Sequence, residues 1–81
     1  MYQTIDEMID VVGSYSHGKF VPRKFRWGKR VLQIDQITLQ SDTKDGGVRK
    51  RLVSVAVGSE VYRLEFNRES EQWYLREVWV E

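Results

Sequence analysis

The sequence predicts an all-β domain, a small antiparallel meander whose sheet is strongly bent or curls into a partly open barrel, and three observations carry that prediction. Glycines at 13, 18, 28, 46, 47 and 58 fall at hairpin spacing. The segments between residues 18 and 58 are rich in Val, Ile and aromatics and alternate with period two. Two of the glycine turns fix registers that bring apolar side chains to one face, and a slip of one residue would undo that agreement. Five or six strands are expected, at about 8–15, 19–27, 30–40, 48–57, 60–66 and 72–80.

The first strand is the most contested. Thr4-x-x-Glu7 has the form of a capping box, and Ile5, Met8, Ile9 and Val12 lie on one helical stripe ending at Gly13, so a short helix competes with it. Val11-Val12 and Tyr15 favour a strand instead, and His17-Gly18 can close a type I′-like hairpin onto Phe20 and Val21.

The next two turns are sharper. A two-residue loop at Gly28-Lys29 pairs Trp27 with Arg30 and Phe25 with Leu32 on one face, and Arg26 with Val31 and Lys24 with Gln33 on the other. A type II′ loop at Gly58-Ser59 pairs Val57 with Glu60, Val55 with Tyr62 and Val53 with Leu64, and turns Ser54, Arg63, Lys50 and Asn67 outward. Between them, Leu32 and Ile34 change parity to Ile37 and Leu39, which predicts a β-bulge near Asp35-Gln36. Ser41 to Gly47 is polar and reads as the longest exposed loop. In the last strand Trp73, Leu75 and Trp79 share one parity and Tyr74, Val78 and Val80 the other, which leaves its inward face open.

Length allows one hydrophobic core, so residues 1–81 are read as a single domain. With 41% hydrophobic and 31% charged residues the chain falls in the globular class. Three Trp, four Tyr and three Phe supply large buried areas to a chain without cysteine.

The run Gly18-x-x-x-Pro22-x-x-Phe25-x-Trp27-Gly28-Lys29-Arg30-x-x-x-Ile34, with the closing Trp73-x-Leu75-x-x-Val78-Trp79, resembles a family of uncharacterised small bacterial all-β domains. The likeness covers about residues 9 to 80 and favours a strand over residues 8–15. Gly28 directly after Trp27 departs from the family pattern, in which an extra residue often intervenes. The resemblance carries no biochemical activity and transfers no functional residue. Some members of the family that the chain resembles are encoded near DNA-repair polymerases, which is gene context and not chemistry.

Catalytic chemistry finds little support in the residues. No thiol is available as nucleophile or metal ligand. His17, the single histidine, sits in an expected turn without the partners of a triad or metal site. The acid pairs Asp6/Glu7, Asp42/Asp45 and Glu69/Glu71 lie in terminal or loop segments and read as solvated surface. Asp45-Gly46-Gly47 lacks the Lys-Ser/Thr and the helix of a phosphate loop. The expectation is therefore a non-enzyme with no catalytic, cofactor or metal residues and no small-molecule substrate. Asp6, Glu7 and Asp10 near the start are the reverse of a signal peptide's basic region, and apolar runs reach only three residues, so a cytoplasmic location without membrane insertion is expected.

Charge is polarised along the chain. Residues 18–34 hold six bases and no acid, whereas from residue 52 onward there are six acids and three bases. Two binding readings follow. The first is an accessory or protein-interaction module, homodimerising or pairing with a partner through an open edge at Trp79 and Val80. The alternative is weak nucleic-acid binding through a basic face of Lys24, Arg26, Lys29, Arg30 and Lys50, with Tyr15, Tyr74 and Trp79 as candidate stacking rings, a reading to which the family resemblance adds a link with DNA repair. A charged solvent face on an ordinary sheet accounts for the same bases without any ligand.

Overall fold

The computed structural model describes residues 1–80. Seven antiparallel strands form one sheet: β1 (Tyr2–Ser16), β2 (Lys19–Trp27), β3 (Arg30–Gln33), β4 (Gln36–Asp45), β5 (Val48–Val57), β6 (Glu60–Asn67) and β7 (Gln72–Trp79). Their spatial order is β3-β2-β1-β7-β6-β5-β4. Consecutive strands form hairpins except β3 and β4, which stand at opposite ends of that order, and the first strand pairs with the last, β1 with β7. The described residues contain no helix long and apolar enough to cross a membrane.

The hairpin registers follow from the turns. At Gly28-Lys29 and Gly58-Ser59 only the glycine takes a left-handed φ, 62° and 59°, as a type II′ turn requires of its first central residue. Trp27 accordingly pairs with Arg30, Phe25 with Leu32, Val57 with Glu60, Val55 with Tyr62 and Val53 with Leu64, as the sequence predicts. His17 and Gly18 are both left-handed and close the β1–β2 hairpin with Tyr15 opposite Phe20 and Ser14 opposite Val21.

The structure settles two points that the sequence leaves open, the first segment and the inward face of the last strand, and corrects other expectations between them. The first segment is a strand of 15 residues and not a helix. Met8 and Val12, two members of the helical stripe, are exposed, while Ile9 is buried and Val11 packs on the core, so period two prevails. A register shift against β7 between Thr4 and Glu7, with Asp6 left-handed, supplies the irregularity that resembled a helix start.

The predicted strand 30–40 is two strands, which raises the count to seven. Ile34 donates its N–H to the Arg23 carbonyl of β2 at 2.9 Å, and Asp35 donates to the Ala56 carbonyl of β5 at 2.9 Å. These two residues carry the chain from one edge of the sheet to the other, so the edges touch at this corner and diverge beyond it. The sheet is bent and is not closed. Asp35 also ties the corner to the next turn, its Oδ2 accepting the Gly58 N–H at 2.7 Å.

A second irregularity, between Ile37 and Leu39, leaves Ile37 opposite Val55 but turns Leu39 outward opposite Ser54. Residues 41–47 are not a loop: β4 continues to Asp45, and Gly46-Gly47, both left-handed, form the turn to β5. In β7, a shift beside Arg63/Leu64 puts Leu75 opposite Leu64 and Val78 opposite Tyr62, so Trp73, Leu75 and Val78 face inward across the irregularity.

The buried core is Ile9, Phe25, Leu32, Val53, Val55, Tyr62, Leu64, Leu75 and Val78. It lies toward the Gly28 and Gly58 turns. There the Phe25 and Tyr62 rings meet edge to face at 5.3 Å, and Trp27 packs on Tyr62 at 6.4 Å. Tyr62 donates its hydroxyl to Glu60 at 3.0 Å, and burial, followed by that hydrogen bond, pushes its pKa above the ordinary tyrosine value.

Candidate binding cleft

The predicted basic face does not assemble. Lys24, Arg26, Lys29 and Arg30 all belong to the β2–β3 hairpin, whereas Lys50 is on β5 opposite Thr43 and Asn67, toward the other end of the sheet. The strands β1, β7 and β6 separate the two groups. Arg26 is ion-paired with Asp10, and the Arg30 guanidinium stands 5.9 Å from the Trp27 ring. Lys50 is only 18% exposed and lies 3.4 Å from Asp45 and 3.8 Å from Glu65.

Trp79 and Val80 are likewise not at an edge. β7 lies between β6 and β1, with Trp79 opposite Val61 on one side and Tyr2 on the other, and the Val80 N–H donates to the Met1 carbonyl at 3.0 Å. The outermost strands of the sheet are β3 and β4. Tyr74, the second candidate ring, is covered by the Arg76 guanidinium at 4.6 Å.

A different set of residues converges where β2 and β4 diverge. On the inward face at this end the rings follow one another: Tyr15 and Phe20 at 5.4 Å, Phe20 and Trp73 at 6.2 Å, Trp73 and Phe66 at 4.9 Å. They line a cavity of about 430 Å³, with Pro22 buried in its floor and Lys19, Gln40, Arg51, Arg68 and Glu71 around it. Phe20, Phe66 and Trp73 are half-buried and Tyr15 is 80% exposed, so apolar ring surface faces water here.

Local sequence builds this cleft. Gly13 lies opposite Pro22 and lets Phe20 fold inward, because a Cβ at residue 13 would stand 2.7 Å from the Phe20 ring and closer still to the Val21 carbonyl oxygen. Arg51 occupies the inward parity that Val53 and Val55 occupy further along β5, opposite Phe66. Its Nε donates to Asp42 at 3.1 Å, and Arg68 reaches the same carboxylate at 3.5 Å. The hydrogen bond from Arg51, reinforced by both positive charges, holds the Asp42 carboxyl below its usual range. Lys19 has no ion-pair partner among the described residues.

Of these residues the sequence singled out only Tyr15 as a binding candidate. Phe66 shares the inward parity of Tyr62 and Leu64, but at this end no opposing strand covers that face. The legible signal is Arg51: a charged residue in phase with Val53 and Val55 marks where the covered core stops. His17 is exposed in its turn, and among the described residues no three His, Cys, Asp or Glu side chains gather as metal ligands.

Comparison of the chain with protein-family models, with curated proteins and with solved structures gives no match in any of the three.

Proposed function

We propose that this domain is a non-catalytic protein-interaction module that receives a segment of a partner chain in the cleft at the open end of its sheet. The observation that carries the reading is the chain of four rings, Tyr15, Phe20, Trp73 and Phe66, lying open under Lys19, Arg51 and Arg68. Apolar concavities with a few convergent polar groups are the usual form of a recognition site, and buried aromatic anchors supply most of the energy at protein interfaces.

Rings beside cations also suit a nucleic-acid base with its phosphate, which gives a second reading at the same place. The surroundings favour protein. A phosphate backbone needs a track of bases, and here Arg26 and Lys50 are paired with acids, while Asp42 and Glu71 stand at the cleft itself. The net charge of +1 agrees.

The test is selection of a displayed random 12-residue peptide library on the full chain, with Trp73→Ala and the surface double variant Lys19→Glu/Arg68→Glu as counter-selections. Enrichment that both variants remove is expected. Equal enrichment on all three proteins would refute the cleft. Saturable, salt-sensitive binding of a single-stranded 15-nucleotide probe that the double variant abolishes, in the absence of peptide binding, would decide for the second reading.

A further inference from the structure

We infer that the partner segment binds by strand addition: an extended peptide pairs with the free edge of β4 and fills the wedge between β4 and β2. The inference rests on the protein-interaction reading above and specifies its geometry.

Around the wedge three stretches of backbone lack a neighbour on one side, and they differ in what they offer; elsewhere β1 is paired on one side only along each half, Tyr2–Ile9 with β7 and Asp10–Ser16 with β2. β3 has four residues. β2 is unpaired on that side only from Lys19 to Pro22, because β3 takes Lys24–Trp27 and Ile34 takes Arg23. Alternation from the two-residue turn at His17-Gly18 directs the backbone of Phe20 and of residue 22 toward the wedge, and at residue 22 proline has no N–H to give. β4 runs ten residues without proline. From the Asp45–Val48 pair that closes the Gly46-Gly47 turn, the same alternation bonds Thr43 and Ser41 to β5 and leaves the N–H and C=O of Gln40, Asp42 and Lys44 directed to the open side. Of the three stretches at the wedge, β4 is therefore the one that can template a further strand.

The proposed occupant of the wedge is a single strand. A cavity of about 220 Å³ is lined by Lys19 from β2 and by Gln40, Ser41 and Asp42 from β4, so the two walls bound a single space. A lone segment needs one strand spacing of ~4.8 Å on each side. A second copy of the chain would bring its own β5 one spacing further, onto the β1–β2 turn at Lys19, so the sterics favour a solitary extended segment over self-pairing.

The chemistry of that segment is set by what it would face. Gln40 and Asp42 are opposite Val53 and Arg51 on the inward face, so alternate side chains of an added strand descend toward the rings. The mouth holds Lys19, Arg51 and Arg68 against Asp42 and Glu71, an excess of positive charge. The occupant is thus an extended segment with an apolar side chain for the rings and an acidic residue two positions away on the same face.

The experiment takes a peptide enriched on the full chain in the selection above and measures residue-resolved amide hydrogen exchange with and without it. Expected are an apolar-x-acidic pattern among enriched peptides and slowing of at least ~10-fold at Gln40, Asp42 and Lys44, with Ser41 and Thr43 little changed. N-methylation at alternate peptide positions should abolish binding in one phase and spare it in the other. Binding that Trp73→Ala removes while those three amides stay fast would overturn strand addition and leave the cleft reading intact. Failure of any peptide to enrich would overturn both. Slowing at the same amides without peptide, growing with protein concentration, would assign the edge to a second copy and overturn the proposal.

Discussion

Both ends of this sheet carry aromatic rings on inward positions, and they meet different fates. Toward the Gly28 and Gly58 turns, Phe25 and Tyr62 are each 1% exposed and touch at 5.3 Å. Toward the other end, Phe66 and Trp73 are closer still at 4.9 Å, yet both remain half-buried. Residue type and parity are the same. The difference lies in the edges: Ile34 and Asp35 stitch β2 to β5 at the first end, and past that corner β2 and β4 separate. Burial in a small sheet is decided by which strands close over a position as much as by the side chain placed there.

The sharpest way to break the comparison is to truncate one ring at each end. Phe25→Ala should cost about 3 to 5 kcal/mol, the range for a fully enclosed aromatic, whereas Phe66→Ala should cost less than about 2 kcal/mol because water already reaches its site. Urea unfolding followed by circular dichroism measures both. Equal losses would show that the second end is as well covered as the first.

Gly13→Ala comes next. Its Cβ would meet the Phe20 ring at 2.7 Å and the Val21 carbonyl, so an overpacking cost of about 1 to 3 kcal/mol is expected. The methyl should also displace Phe20 from Trp73, visible as altered aromatic NMR shifts at the open end with Phe25 and Tyr62 unmoved. Changes confined to the core end would contradict the placement of Gly13 beneath the cleft.

Asp35→Ala tests the corner that separates the two ends. It removes the acceptor of the Gly58 N–H at 2.7 Å, and a loss of about 1 kcal/mol is expected for an exposed hydrogen bond of this kind. Exchange should quicken at Gly58 and Asp35 before it quickens in β5.

The smallest effect is electrostatic. The Asp42 carboxyl titrates below its unfolded value near 3.8, so the stabilisation it contributes is complete above that value and disappears as pH falls through the folded pKa. NMR titration of the side-chain carboxyl carbon should show the low value in the wild type and a return toward 3.8 in Arg51→Gln. An unchanged midpoint in that variant would remove Arg51 as its cause.

How far the sequence reached follows from the range of each signal. The Gly28 and Gly58 registers were legible because a two-residue turn fixes the pairing of its own strands. The break at Ile34–Asp35 showed only as a change of parity, which a bulge explains equally well from local residues. Trp79 read as an edge because nothing near it announces its partner Tyr2, which lies nearly the full length of the chain away. The cleft depends on the same long-range order. Phe66 and Trp73 look like core until the absence of a strand joining β2 to β4 leaves them open, and Arg51 among inward valines was the one local mark of that opening.

That opening is tested most directly by residue-resolved hydrogen exchange on the full chain alone, at low concentration. The account expects alternation along β4: Gln40, Asp42 and Lys44 within about tenfold of unstructured rates, and Ser41 and Thr43 slowed by roughly a hundredfold or more. Uniform slowing of all five amides would mean that the edge of β4 is already paired, and would contradict the open sheet on which the cleft and its partner depend.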